Sequence, residues 1–229
     1  MEPNMLYAFD CDGVLVDSEI IAADVDAELL TEAGYEITPE GVTRRFAGLT
    51  SRAIHDLIEA ELGHPLPESF LAKQKEELDR RLARDLKAVP GAGEVLDRID
   101  VQRCVCSNSS DARLRLSLEK TGLRDRFAPY IYSAVEVGDK QPKPSPNVYL
   151  HAARTFEIDP REMLVIEDST FGVIAAKAAG ARVVGFVGGR HSWPGHADLL
   201  TEAGAETVIR RLADLPAIAE ALMAWEGME

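Results

Sequence analysis

Cysteine is scarce in this sequence, three in 229 residues, an odd number that offers no disulfide framework and suits a reducing compartment. No basic stretch leads into an apolar one at the N-terminus, so MEPNMLYAFDCDG does not read as a secretory leader. Long hydrophobic runs are missing too. Stretches such as Ile174–Ala176 and Val183–Val187 fall far short of a bilayer's thickness. Lys and Arg form no cluster, and 25 basic against 39 acidic side chains leave a formal charge of −14. That balance argues against nucleic acid or an anionic membrane as the main partner. Aromatics are few, at 6%, yet 46% of residues are hydrophobic, enough for a sizeable core. The expectation is a cytoplasmic, enzyme-sized chain acting on a small molecule.

What is present divides into two textures. Leu6–Phe9 is a short apolar run closed by Asp10 and the Asp12-Gly13 pair, a buried strand ending in a polar loop. From about Ser18 to Arg84 the pattern is helical, with no convincing strand. Ile21, Val25, Leu29 and Leu30 mark one helix stopped at Gly34, Ser51 caps a second, and Pro67 opens a third. After Val89-Pro90-Gly91 strands and helices alternate. Strands are expected at Gln102–Cys106, Tyr130–Tyr132, Met163–Glu167, Arg182–Val187 and Thr207–Ile209. Helices are expected near Asp111–Lys120, Pro146–Phe156, Thr170–Ala179 and Ala197–Ala203, with a last one from Leu212 to about Trp225. Short apolar strands separated by helices imply a parallel sheet with right-handed crossovers. The fold class is therefore α/β, a Rossmann-like doubly wound parallel sheet core with an inserted all-helical cap domain. The core is expected over residues 1–17 and 85–229 and the cap over 18–84.

Ligands of such sheets bind at the carboxyl ends of the strands. There the sequence sets Asp10 and Asp12, then Ser107-Asn108, then Glu167-Asp168, with Lys143 in the loop Gly138–Ser145. Crowded carboxylates repel unless a cation sits among them. An all-oxygen set favours Mg2+ over zinc. A hydroxyl and an amine beside it suit a phosphoryl group, whose transfer needs positioning and charge neutralisation. Within Asp10-x-Asp12 one carboxylate can attack and the other can serve as general acid and then base.

Four segments resemble the motifs of the haloacid dehalogenase superfamily, in the branch of capped phosphatases and phosphomutases. They are FDCDGVLVDSE at Phe9–Glu19, CSNSS at Cys106–Ser110, KPSP at Lys143–Pro146 and VIEDSTFGVIAAKAAG at Val165–Gly180, in family order. The first string and the cap length look most like bacterial sugar-phosphate phosphatases of the 6-phosphogluconate type. The resemblance implies Asp10 as nucleophile and Asp12 as general acid/base. Mg2+ would be held by Asp10, the Asp12 carbonyl and Asp168, with Glu167 as a ligand or just behind one. Ser107 and Asn108 would bind the phosphoryl group, Lys143 would orient Asp10 and neutralise charge, and the Gly13 backbone would approach the phosphate. In the cap, Arg44, Arg45 and Arg52 flank Gly48-Leu49-Thr50, which resembles the specificity loop, and Arg52 is the candidate for a second anion on the substrate.

Competing readings are weaker. Asp-x-Asp-Gly also opens a calcium loop, but the later ligands are not at the required spacing. A β-phosphoglucomutase-type mutase would carry a His soon after the first motif and a Lys before the cap-loop glycine, where this chain has Ala22 and Ala47. A non-catalytic phosphate-binding regulator would have lost the nucleophile or the acid/base. Dehalogenation would need neither Asp12 nor a metal cluster. His191 and His196 bracket Ser192-Trp193-Pro194-Gly195 without a third ligand, so a zinc site is rejected and the loop is expected to border the site entrance. Cys11, Cys104 and Cys106 read as small core residues, and Trp225 as packing.

Overall fold

The computed structural model describes residues 5–46, 49 and 51–226, with side chains through residue 222. Its frame is a six-stranded parallel sheet: β1 (Leu6–Phe9), β2 (Gln102–Ser107), β3 (Ile131–Ser133), β4 (Met163–Glu167), β5 (Arg182–Phe186) and β6 (Thr207–Ile209). The spatial order is β3-β2-β1-β4-β5-β6, the doubly wound order in which the chain turns one way from β1 to β2 and the other way to β4. Both faces are covered, which is why the strands are apolar at successive positions rather than at alternate ones. Tyr7, Phe9, Val105, Leu164, Ile166, Val184 and Phe186 point into one layer. Leu6, Ala8, Cys104, Cys106, Met163, Val165 and Val183 point into the other. The three cysteines are buried and free.

The crossovers are α5 (Ala92–Arg98), α6 (Asp111–Lys120), α7 (Asn147–Phe156), α8 (Thr170–Ala179) and α9 (His196–Ala203), and α10 (Leu215–Glu226) closes the chain. Local chemistry sets several ends. The Ser110 hydroxyl accepts the Arg113 N–H to start α6, the Ser169 hydroxyl accepts the Gly172 N–H to start α8, and Gly180 in the left-handed region ends α8.

Between β1 and α5 stand four helices, α1 (Glu19–Glu32), α2 (Pro39–Phe46), α3 (Ser51–Leu62) and α4 (Phe70–Asp85). They close around their own cluster of Ala23, Ala27, Leu30, Val42, Phe46, Ile54, Ile58, Leu66 and Phe70. This cap is tied to the core by two chain segments side by side, with Asp17 N–H on Lys87 O and Val89 N–H on Leu15 O, each at 2.9 Å. Two helices escaped the sequence reading. The eight residues of α2 bury only Val42 and Phe46, and the seven of α5 are too few to display a period. The third strand lies one residue later than expected, the Pro67 helix begins at Phe70, and the final helix is preceded by a separate 3-10 turn at Leu212–Asp214. Among the described residues no helix is long and apolar enough to cross a membrane.

Candidate active site

The strand order reverses between β1 and β4, and a crevice opens above their carboxyl ends. Asp10 follows β1 directly, its N–H bonded to Ile166 O of β4 at 2.9 Å. The chain then folds tightly. Cys11 O accepts the N–H groups of Leu15 and Val16 at 2.9 and 3.0 Å, and Gly13, with φ of +78°, gives its N–H to Val16 O at 2.8 Å. A β-carbon at Gly13 would stand 1.8 Å from Oδ2 of Asp168. Glycine is required there because the first loop packs directly on the acidic residue after β4. The Gly13 backbone is expected to approach a phosphate, and its N–H is already spent inside the loop.

Lys143 is buried beneath Asp10 and gives all three of its N–H donors to protein. Nζ contacts Asp10 Oδ1 at 2.8 Å, Cys106 O at 2.7 Å and Glu167 Oε1. Burial alone would lower the ammonium's pKa, but Asp10 and Glu167 outweigh it and raise it. Asn108 fastens the backbone of Lys143, its Oδ1 accepting Lys143 N–H at 2.7 Å and its Nδ2 donating to Lys143 O at 3.3 Å. The Asn108 amide thus holds the lysine rather than presenting itself to a phosphate. Glu167 is fully buried, and both oxygens are engaged. Oε1 also accepts the Tyr149 hydroxyl at 2.9 Å, and Oε2 accepts the N–H and hydroxyl of Ser169 at 3.1 and 3.0 Å. It is built as an anchor for Lys143, not as a free ligand.

Asp12 is held by hydroxyls. Oδ1 accepts from Ser18 at 2.7 Å, and Oδ2 accepts from Ser109 at 2.8 Å and Ser107 at 3.2 Å. Ser18 and Ser109 were not singled out in the sequence, although each sits inside a quoted motif string. The only signal was a hydroxyl close to a carboxylate.

One ligand oxygen from each of Asp10, Glu167 and Asp168 can be chosen so that all three lie within 4.8 Å of one another. Burial, then repulsion by Glu167, Asp168 and Asp12, pushes the Asp10 carboxyl well above the usual carboxylate range, against the pull of Lys143. Lys143 faces Asp10 and Glu167, and His191 stands 2.9 Å from Asp168, yet three carboxylates crowd the same spot, so the cluster has room for a further cation. The carboxylate oxygens of Asp10 and Asp168, beside those of Glu167 that are already engaged, are a hard set without thiolate that fits Mg2+.

The site opens into a cleft of about 710 Å³ between core and cap. Its walls include Glu19, Ala22 and Asp26 of α1, Arg44 and Arg45 of α2, Arg113 of α6, and His191, Trp193 and His196. The loop after β5 therefore does border the site. Arg52 does not line the cleft. It lies on the outer face of α3, paired with Asp56 at 3.0 Å, because the turn from Ser51 aims the i, i+4 pair at solvent. Arg113, absent from the sequence candidates, is the core-side arginine in the wall, and it reaches Asp79 of α4 at 2.9 Å. Ala47, Gly48 and Thr50 lie outside the described residues.

Comparison with known proteins agrees with this architecture. A family model described as haloacid dehalogenase-like hydrolase matches residues 7–186. The chain is 30% identical over 187 residues to 6-phosphogluconate phosphatase of Escherichia coli, covering 81% of this chain and 84% of that one. Among solved structures it is similar to a conserved haloacid dehalogenase-like protein of unknown function from Agrobacterium tumefaciens, with TM-score 0.91, 51% identity and coverage of 95% and 98%. It is also similar to a hydrolase of the same family from Deinococcus radiodurans with bound phosphate and sodium, with TM-score 0.81, 32% identity and coverage of 96% and 97%.

Proposed function

We propose that this chain, which belongs to the haloacid dehalogenase-like hydrolases and is a phosphoric monoester hydrolase, is a Mg2+-dependent phosphatase that works through an aspartyl-phosphate on Asp10. The observation that carries the reading is the Lys143–Asp10 pair. The lysine holds Oδ1 at 2.8 Å, and Oδ2 carries none of that bonding and is the oxygen left to react.

Oδ2 of Asp10 attacks phosphorus, the P–O bond to the alcohol breaks, and the leaving oxygen takes a proton from Asp12. Asp12, now a carboxylate, then removes a proton from water, whose oxygen attacks phosphorus and releases inorganic phosphate from Asp10. The hydroxyls of Ser18, Ser107 and Ser109 hold the Asp12 carboxyl in place beside the nucleophile. Ser107, whose hydroxyl gives its proton to Asp12 and accepts the Ser109 N–H at 3.0 Å, would bind a phosphoryl oxygen by turning away from Asp12. Lys143 contributes charge rather than a spare N–H, since its donors are committed. Mg2+ held by Asp10, Asp168 and the Asp12 carbonyl would neutralise charge on the phosphoryl oxygens.

The substrate proposed is a phosphorylated sugar or sugar acid. The cleft volume suits a molecule of that size, and the name of the Escherichia coli relative agrees. The cleft wall has Ala22 where the mutase branch would carry a His, which favours hydrolysis over a mutase. The test is phosphate release from 6-phosphogluconate, phosphoglycolate, hexose 6-phosphates and β-glucose 1-phosphate, with Mg2+ or with EDTA. Release that needs Mg2+ and falls by at least about 10⁴-fold in Asp10→Asn is expected. Equal release in EDTA, or an active Asp10→Asn, refutes the mechanism.

A further inference from the structure

The loop between β5 and α9 has no part in the chemistry above, yet it converges on one residue. His191 brings Nε2 to 2.9 Å from Oδ2 of Asp168, with both side chains buried. His196 brings Nε2 to 2.7 Å from the backbone oxygen of the same residue. A carbonyl only accepts, so Nε2 of His196 carries the proton, and Nδ1 faces the Ser192 hydroxyl at 3.2 Å. Trp193 stacks on His196, with ring centroids 4.2 Å apart and planes within 5°. His191 stands edge-on to His196 at 5.8 Å.

The surroundings are shaped around these rings. β-carbons on Gly13 and Gly189 would stand 2.9 and 2.6 Å from His191 Cε1, and one on Gly188 would stand 2.3 Å from Arg210 O. Arg190 anchors the loop by pairing with Asp17, on the segment that leads into the cap. Nδ1 of His191 is buried without a partner, so the ring's polar contact is the one to Asp168. Among the described residues no other side chain is bonded to the Asp168 carboxylate.

We infer that His191 and His196 are positioning residues for Asp168, fixing its carboxylate and its backbone and thereby the affinity of the site for its divalent cation. The inference rests on Asp168 being a cation ligand, as in the proposed function. A carboxylate free to rotate must be ordered when the cation binds. One held at Oδ2 from behind and at its own carbonyl presents Oδ1 already oriented, and partners of this kind typically contribute 10- to 100-fold in affinity.

The experiment is calorimetric titration of the substrate-free protein with Mg2+, paired with KM for Mg2+ and kcat at saturating Mg2+. In His191→Ala the dissociation constant for Mg2+ is expected to rise about 10- to 100-fold, with kcat at saturating Mg2+ changed less. His191→Gln, whose amide N–H reaches to a similar depth, should recover most of the affinity, whereas His191→Asn, one carbon shorter, should not. His196→Ala should weaken binding in the same direction. Should His191→Ala fail to fold, the Gln and Asn variants decide the matter. Equal Mg2+ affinity in those two, or unchanged affinity in a folded His191→Ala, overturns the inference alone. A wild type that binds no Mg2+ overturns the metal reading and this inference together.

Discussion

The core end of the cleft and the outer surface of the cap are built on opposite electrostatic plans. On the core side charges are buried and saturated by protein. Lys143 spends every donor, Glu167 has both oxygens engaged, and Asp12 is ringed by three hydroxyls. On the outer surface of the cap charges are paired mostly along helices and stay in water. In Arg44–Glu40, Arg52–Asp56 and Lys75–Asp79 the basic side chains are 60%, 69% and 74% exposed. Buried saturated groups hold geometry to fractions of an ångström, whereas exposed pairs contribute little and re-form at small cost. On the proposed function the core thus fixes the reaction, and the cap leaves latitude in what is bound. Arg113–Asp79 links the two plans, a core arginine on a cap carboxylate.

Four substitutions sharpen or break that contrast. The largest effect is expected for Lys143→Met, which leaves Asp10 and Glu167 buried without their cation. A loss of about 3–5 kcal/mol in urea unfolding without Mg2+ is expected, together with loss of turnover, and a loss near zero would mean the core charges are not what stabilises that wall. Gly172→Ala comes next. In most helices this change stabilises by about 0.5–1 kcal/mol, but here the new β-carbon would sit 1.9 Å from the Glu167 carboxyl. A destabilisation of about 3 kcal/mol is expected, and a gain would show that Glu167 is free to move.

The third substitution lies in the cap. Asp26 of α1 accepts the Gln74 amide of α4 at 2.6 Å, and burial raises its pKa to about 6, against that hydrogen bond. A raised carboxyl pKa means the folded state holds its proton more tightly, so the wild type loses stability as pH rises from about 4 to about 6 and levels off above. Asp26→Asn should remove that slope and stabilise the protein at pH 7.5 by on the order of 2 kcal/mol. Identical urea midpoints for variant and wild type across that range would contradict it. The smallest effect belongs to Arg52→Ala, for which KM and kcat on any active substrate should stay at wild-type values. A raised KM would bring Arg52 back to the cleft.

The sequence carried the residues of the candidate site because each is announced locally. An apolar run of four or five residues followed by Asp10, or by Glu167-Asp168, is a strand end with its chemistry attached, and six strands spaced by helices left little choice of fold. Asn108 and Gly13 were placed correctly in the chain but not in their bonds, since a side-chain amide or a loop N–H chooses its partner only when the fold closes. Arg52 was drawn in by its place beside a glycine loop, and one turn of helix sent it outward. Arg113 was hidden among many arginines, because nothing local marks a helix that will face a cap 34 residues earlier in the chain.

By itself, then, the sequence determined the parallel sheet, the helical cap and the gathering of Asp10, Asp12, Lys143 and Asp168 at one edge of the sheet, through periodicity and loop chemistry that act over a few residues. Only the tertiary structure decided that Glu167 anchors Lys143, that three serines surround Asp12, and that two histidines from beyond β5 close on Asp168. Those contacts join residues from 6 to 97 positions apart, and desolvation at the meeting of β1, β2 and β4 makes each polar group take the partner that the fold brings within reach.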